Sequence, residues 1–452
     1  MRLAEYVKRT SKDAVIDGVK LIKRYNFHSN RLIPNSNPLI KNSIESVKKH
    51  ADDRLTFAIP QSKINQFLAA AALSHLLDGW MYLSNSFSAL LNGDEATAIH
   101  LGYYAELRSA MSILSTEGIA VFNDKHIGAF SRVTNGVYPS NYYKSTGGYV
   151  QPIYTTHKFV WDAMDKWSKS STKPNEEILQ IFKVQGLDFF DLTEFFHPTT
   201  VGSTLLTIKT VKGWLKEWCF DIKYYKQDRE NRNEVSYRPQ RIINFDKNLD
   251  FKEIINDLNR FWGVISPTPT NQFDLLDKYL LRKLFANLYA QITTTEPIDD
   301  LISNAFGQKG IYDKILFDFM ALKAPFMDDH VIFKYAGIKK TTALSIIARA
   351  TLLLRISVGM VSQLYKAGGA NKADLSFVWN NYSIDNGFYP PSSPISNFAN
   401  LWSDVEPMFE DLRIDINSHG SDNSIFAIKE RNPVEIIHLS QINRACLWGL
   451  DF

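Results

Sequence analysis

Two long runs of helical periodicity, joined by one short turn, constrain this chain more than any other feature. In "PQSKINQFLAAAALSHLLDGWMYLSNSFSALL", Ile64, Phe67, Leu68, Ala71 and Leu76 recur at three- and four-residue intervals, the spacing that lines one face of an α-helix. Pro60 followed by Gln61 and Ser62 suits its start. "NGDEAT" at 92–97 is a turn followed by acidic residues that favour a helix N-terminus. A second helix is then expected from about Glu95 to Glu117, stopping at Gly118. Two such helices across so short a turn read as an antiparallel hairpin.

The rest of the chain is read around that hairpin. Residues 1–50 predict one or two amphipathic helices, with Val15, Val19 and Ile22 on one side. The run 131–155 is dominated by Gly, Pro, Asn, Ser and Tyr and is expected to be a long irregular loop. In the middle third, "STLLTIKTV" and "EVSYRPQRIINF" carry β-branched and aromatic residues in strand-like runs, with the charge-dense "KQDRENRNE" between them as a solvated turn. "SPTPTNQ" at 266–272 is the best linker candidate. Beyond it, "FDLLDKYLLRKLFANLYAQI" and "TTALSIIARATLLLRISVGMVSQLY" predict two further helices, the second apolar enough to be central to a core. The expectation is a mainly α protein: a helical bundle core with a smaller mixed α/β middle segment. Its divisions are a helical domain over 1–165, a mixed segment over 166–265 and a helical domain over 273–452, the first and last able to pack as one composite bundle.

Composition bounds the function classes. The chain has 452 residues, 45% hydrophobic and 22% charged, with 29 Phe, 20 Tyr and 9 Trp, so a sizeable core is expected. A net charge of +3 announces no global field for nucleic acid, though a local basic patch is compatible with it. Two distant cysteines, Cys219 and Cys446, indicate neither a disulfide framework nor a zinc cluster and fit a reducing compartment. The apolar stretches are interrupted by charge or histidine, so no membrane span is expected, and the location read is cytoplasmic.

Several chemical motifs are weak. "YAGIKKTTA" lacks the glycine that a phosphate-cradling loop needs before its lysine, and reads better as a threonine-capped helix start. Asp191, Glu194, Asp221 and Lys223 offer acids and a lysine for a metal-dependent nuclease, a minor alternative. "DDHV" at 328–331 offers Asp328, Asp329 and His330 as a ligand cluster, but such a run is more often a helix cap. Two places remain. In "HLGYYAELRSAMSIL", Arg108 lies one turn beyond Tyr104. In "FEDLRIDINSHGSDN", Arg413 and His419 would lie about 240° apart on an ideal helix, so a bend near Asn417–Gly420 is needed to bring them together. Arginine and histidine on one phosphate suit metal-free RNA cleavage, because the imidazole moves protons near neutral pH while the guanidinium holds phosphoryl charge.

"GYYAELRSAMSILSTEGIAVFNDKHIGAF" resembles a signature stretch of the HEPN superfamily, through Tyr103, Tyr104, Ala105, Arg108, Ala110, Leu114, Gly118, Ile119 and His126. Members of that family are small helical bundles, commonly dimeric, met in bacterial defence and toxin systems. Many are metal-independent ribonucleases with an Arg-x(4–6)-His motif on a later helix; others have lost catalysis and act as binding modules. "RIDINSH" has that spacing, although Ile414 stands where the family usually has a polar residue. The resemblance implies a ribonuclease with Arg413 and His419 as catalytic residues and Tyr104, Arg108, His126 and Asn417 around the pocket. It calls for RNA as partner, with a homodimer or a protein partner of a defence complex beside it, and for no cofactor or metal. The alternative from another class is a non-catalytic sensor or scaffold subunit, which the surplus of Tyr and Trp would suit.

Overall fold

A computed structural model describes residues 2–41, 59–122, 125–139, 155–170, 176–193, 203–217, 220–237, 250–291, 295–390, 392, 397–419 and 424–450. Among the described residues the chain is mainly α-helical, with two small antiparallel sheets. The elements that position the site are α1 (Lys12–Tyr25), α2 (Gln61–Leu91), α3 (Glu95–Thr116), the strands β1 (Ile119–Ala120), β2 (Lys125–Ala129) and β3 (Asn135–Pro139), α4 (Thr156–Ser168), α5 (Ser203–Glu217), α6 (Ile222–Tyr237), α7 (Phe251–Ile265), α8 (Asp274–Tyr289), α9 (Ala343–Ala367), α10 (Glu406–Ser418) and α11 (Pro433–Ser440).

The hairpin of α2 and α3 forms for the reasons its sequence supplies. The Asp94 carboxylate caps α3 by accepting the Thr97 N–H at 2.9 Å. Gly118, at φ +90°, ends that helix in a conformation costly for any side chain and feeds β1. A Cβ there would also lie 3.0 Å from the Ser11 carbonyl oxygen. Small residues let the helices close: a Cβ on Gly102 would stand 2.7 Å from Ile346 of α9, and one on Gly79 2.9 Å from Leu354. Between the hairpin helices, Ser112 donates to the Ala72 carbonyl at 2.7 Å.

α9 packs most extensively on α3, and also on α2 and α1. It is long and apolar enough to cross a membrane, but 94% of that apolar window is buried inside the chain. Its start is a capping box: Thr342 and Ser345 exchange side-chain and backbone hydrogen bonds at 3.2 and 2.8 Å. Two arginines on it are buried and paired. Arg349 holds Asp228 of α6 through two bonds of 2.7 Å. Arg355 holds Asp277 of α8 at 3.0 and 2.9 Å. Buried side chains from the first, middle and last thirds of the chain form one continuous core.

Three local expectations are corrected. "STLLTIKTV" lies in helix α5, where Val211, Trp214 and Leu215 are buried at helical spacing. "KQDRENRNE" lies in helix α6, because Asp228 turns inward to Arg349 while its charged neighbours stay wet. In both, tertiary packing overrides local propensity. "SPTPTNQ" is a packed turn rather than a linker, since Asn271 is buried and its side-chain amide donates to the Lys183 carbonyl at 2.5 Å. Within the expected loop of 131–155, Asn135–Pro139 pair with Lys125–Ala129; residues 140–154 lie outside the described residues.

The Glu106 carboxyl of α3 is fully buried, 3.6 Å from Arg349 Nε, with neither oxygen hydrogen-bonded among the described residues. Burial, then the negative charge of Asp228, push its pKa well up against the pull of Arg349. A raised folded-state value means that its contribution to stability is present below about 4.5 and lost as pH climbs. Glu106→Gln should therefore gain stability over the native chain between pH 5 and pH 8, by at most about 1.4 kcal/mol per pH unit, in urea melts. Arg349→Met strands two buried acids and should cost roughly 3–5 kcal/mol in the same melts.

Candidate active site

The antiparallel register sets His75 and Asp78 of α2 against Arg108 of α3. An Arg108 Nη donates to His75 Nδ1 at 3.0 Å and lies 3.6 Å from the Asp78 carboxylate. A guanidinium is always a donor, so His75 carries its ring proton on Nε2 when neutral. His75 and Arg108 line a cavity of about 490 Å³ walled by Phe67, Ala71, Met111, Ser115, Ala120, Val121, Phe122 and Thr156. Its floor is apolar: Phe67 stacks on Phe122 with ring centres 5.6 Å apart.

This environment shapes the charges. Burial first, and the Arg108 charge second, depress the His75 pKa to about 3. Burial raises the Asp78 carboxyl above its ordinary value, and Arg108 pulls it part of the way back. The cavity thus presents a cation and a neutral imidazole on largely hydrophobic walls, with the Asp78 carboxylate 3.6 Å from the cation.

Tyr104 lies one turn from Arg108 but does not line this cavity. It stacks on Tyr82 of α2, ring centres 5.3 Å apart and planes 27° from parallel. The His100 ring centre lies 5.1 Å from that of Tyr104. Behind it, Tyr103 accepts the Trp161 indole N–H at 3.2 Å, so its own hydroxyl is free to donate to His157 Nδ1, 2.9 Å away. Burial and the charges of Arg232 and Arg229 lower the His157 pKa to about 4.

His126 does not enter the cavity. It is fully buried on β2, its ring stacked on Phe159 at 3.6 Å, and its Nδ1 accepts the Phe122 N–H at 3.2 Å. The pocket role expected of it belongs to Phe122, the wall that His126 holds in place.

Arg413 and His419 lie elsewhere. α10 runs unbroken through Ser418 and His419 is its C-cap residue, so no bend at Asn417 brings the two side chains onto one face. Arg413 is exposed and forked onto Glu410 at 2.9 and 2.6 Å. With Asn417, Trp402 and Phe409 it lines an open groove of about 770 Å³ that His419 does not line. The His419 imidazole turns back to Asp415, 2.9 Å from its carbonyl and 3.1 Å from its carboxylate. α10 packs on α11 and α7, and its groove shares no residue with the Arg108 cavity.

The remaining motif residues have structural partners. Asp221 caps α6 through the Lys223 N–H at 2.9 Å, Asp188 accepts the Asp191 N–H at 2.9 Å, and Glu194 lies outside the described residues. Among the described residues, no group of three or more His, Cys, Asp or Glu side chains could hold a metal ion. His330 caps the helix Val331–Ala336, accepting the Ile332 N–H. His75 was missed because "LSHLLDGW" reads as an ordinary apolar helix; its signal was its distance from the turn, nearly equal to that of Arg108.

No family model, no curated protein and no solved structure matches this chain.

His75 should remain neutral to below pH 4 in a histidine NMR titration. Arg108→Gln, which removes the lesser of its two causes of depression, should move its midpoint up by part of the way towards 6.5. An unshifted midpoint in that variant would show that Arg108 does not govern the ring.

Proposed function

We propose that this chain is a metal-independent ribonuclease of the HEPN-like kind met in bacterial defence, acting in the cytoplasm, with its chemistry at Arg108 and His75. One observation carries the reading: a guanidinium hydrogen-bonded to an imidazole, both lining one largely apolar cavity. A scissile phosphate takes the place of the imidazole on Arg108, and the guanidinium then neutralises the charge that builds on the phosphoryl oxygens. The freed His75 Nδ1 accepts the 2′-hydroxyl proton as the 2′-oxygen bonds to phosphorus. The P–O5′ bond breaks and the departing 5′-oxygen takes that proton back. The products are a 2′,3′-cyclic phosphate and a 5′-hydroxyl end, with no water or metal consumed.

A second reading has its own support. An imidazole held near pKa 3 is a weak base, which favours anion binding without turnover. The chain would then be a sensor or scaffold subunit that captures RNA and a protein partner.

Incubating total RNA with the full chain separates these readings. Cleavage should persist in EDTA, fall on the order of 10²–10⁴-fold in His75→Ala, and stop where the scissile nucleotide is 2′-deoxy. His419→Ala should cleave as the native chain does. Loss of cleavage in His419→Ala with full activity in His75→Ala would move the chemistry to α10; RNA bound but never cut would favour the sensor.

A further inference from the structure

A second cavity, of about 330 Å³, shares no residue with the one at Arg108, and its walls are mostly polar. It lies where the strands β4 (Lys183–Val184) and β5 (Leu187–Asp188) meet the C-terminal half of α9. Four charged side chains line it: Lys183, Arg355 and Lys366 against the single carboxylate of Asp188.

The lysines are free to serve a ligand. Gln185 and Gly186, at φ +54° and +81°, join β4 to β5 as the left-handed pair that a two-residue hairpin turn needs. That register sets Lys183 directly across from Asp188, on the same face of the hairpin. The Lys183 backbone anchors the hairpin: its N–H donates to Asp277 at 3.0 Å, and its carbonyl accepts the Asn271 amide. Its side chain takes no part in this anchoring. Lys183 and Lys366 are both exposed, and neither ammonium has a carboxylate within ion-pair distance among the described residues. The Asp188 carboxylate is taken up by the Asp191 N–H.

Arg355 supplies a fixed point between them. It is buried, with the Phe182 and Phe273 ring centres 4.7 and 4.8 Å from its guanidinium carbon. Nε and Nη2 are spent on Asp277 and the Ile181 carbonyl, and Nη1 has no hydrogen-bond partner among the described residues. Gly359 leaves the space beside Nη1 open: a Cβ there would lie 3.1 Å from that nitrogen and 2.6 Å from the Ile181 Cβ. Because Asp277 already occupies the edge that forks a carboxylate, a ligand meets one guanidinium nitrogen only. A carboxylate would gain little from that. A phosphate group carries three acceptor oxygens and can take one from each of three separate cations.

We infer that this cavity binds a small phosphomonoester, its phosphate held by Arg355 Nη1, Lys183 and Lys366, with the Gln363 amide available to its remaining polar atoms. The volume is at the small end of ligand cavities and suits a metabolite rather than a polymer. The inference stands apart from the ribonuclease reading.

The test is isothermal titration of the full chain with glycerol 3-phosphate at fixed ionic strength, beside succinate as a dicarboxylate of similar charge. The phosphomonoester should bind one-to-one and more tightly than succinate. Lys183→Met and Lys366→Met should each weaken it roughly tenfold or more, while Lys183→Arg and Lys366→Arg, which keep the cation, should retain most of the affinity. Arg108→Gln should leave this binding in place. Melting curves show whether the methionine variants remain folded; if one does not, the succinate comparison and Arg108→Gln decide. Absence of binding, succinate bound as tightly, or native affinity in either folded methionine variant overturns the site. Binding lost in Arg108→Gln but kept in both methionine variants overturns it too, by placing the phosphate in the other cavity.

Discussion

The buried ion pair between Arg349 and Asp228 decides how the other helices sit. α9 is apolar on nearly every side, so hydrophobic burial alone would let it turn about its axis at little cost. Arg349 removes that freedom. It must lie where Asp228 offers both oxygens at 2.7 Å and where the Ile338 carbonyl accepts at 3.1 Å. Breaking so buried a pair leaves a charge without compensation, which few alternative packings can tolerate. Arg355 fixes the same helix a second time, on Asp277 and the Ile181 carbonyl. One helix is thereby registered against α6 and α8 together.

That registration passes outward to the candidate site. Glu106 faces Arg349, so the opposite side of α3 must carry Tyr104 and Arg108 towards α2 and the surface. The close approach at Gly102 and Gly79 leaves no slack for α3 to roll. A side chain at either position would force the helices apart and loosen the His75–Arg108 contact. The core's polar network and the Arg108 site are two faces of one helix, set by a single rotation angle.

The hairpin, its boundaries and the centrality of α9 were legible because helical periodicity and turn chemistry are local. The helical state of 222–237 was not, because the force that makes it helical acts on Asp228 from a residue far away in sequence. Arg108 was expected in one pocket with Arg413 and His419, and it lines a cavity that they do not share. His75 needed the register of the folded hairpin. The Arg413–His419 spacing looked catalytic in one dimension, but a helix running through Ser418 points the two side chains apart. His126 looked polar and proved to be a ring packed on Phe159. In each case the missing information was which groups share a face.

The arginines of this chain also differ in how completely they are satisfied. Arg349 and Arg355 are each held by a forked carboxylate and by backbone carbonyls, and Arg413 is forked onto Glu410. The two buried ones cannot exchange that partner without stranding a charge, whereas the exposed Arg413 pair is weakly held. Arg108 is held instead by a neutral ring nitrogen at 3.0 Å and a carboxylate at 3.6 Å, beyond hydrogen-bond length. A phosphate offers paired oxygens and a full negative charge, so under the proposed function it would be the stronger partner for Arg108. That exchange would also weaken the lesser of the two causes that depress His75. Under that proposal, binding the anion would relieve only the Arg108 part of the depression, and burial would still hold the imidazole low.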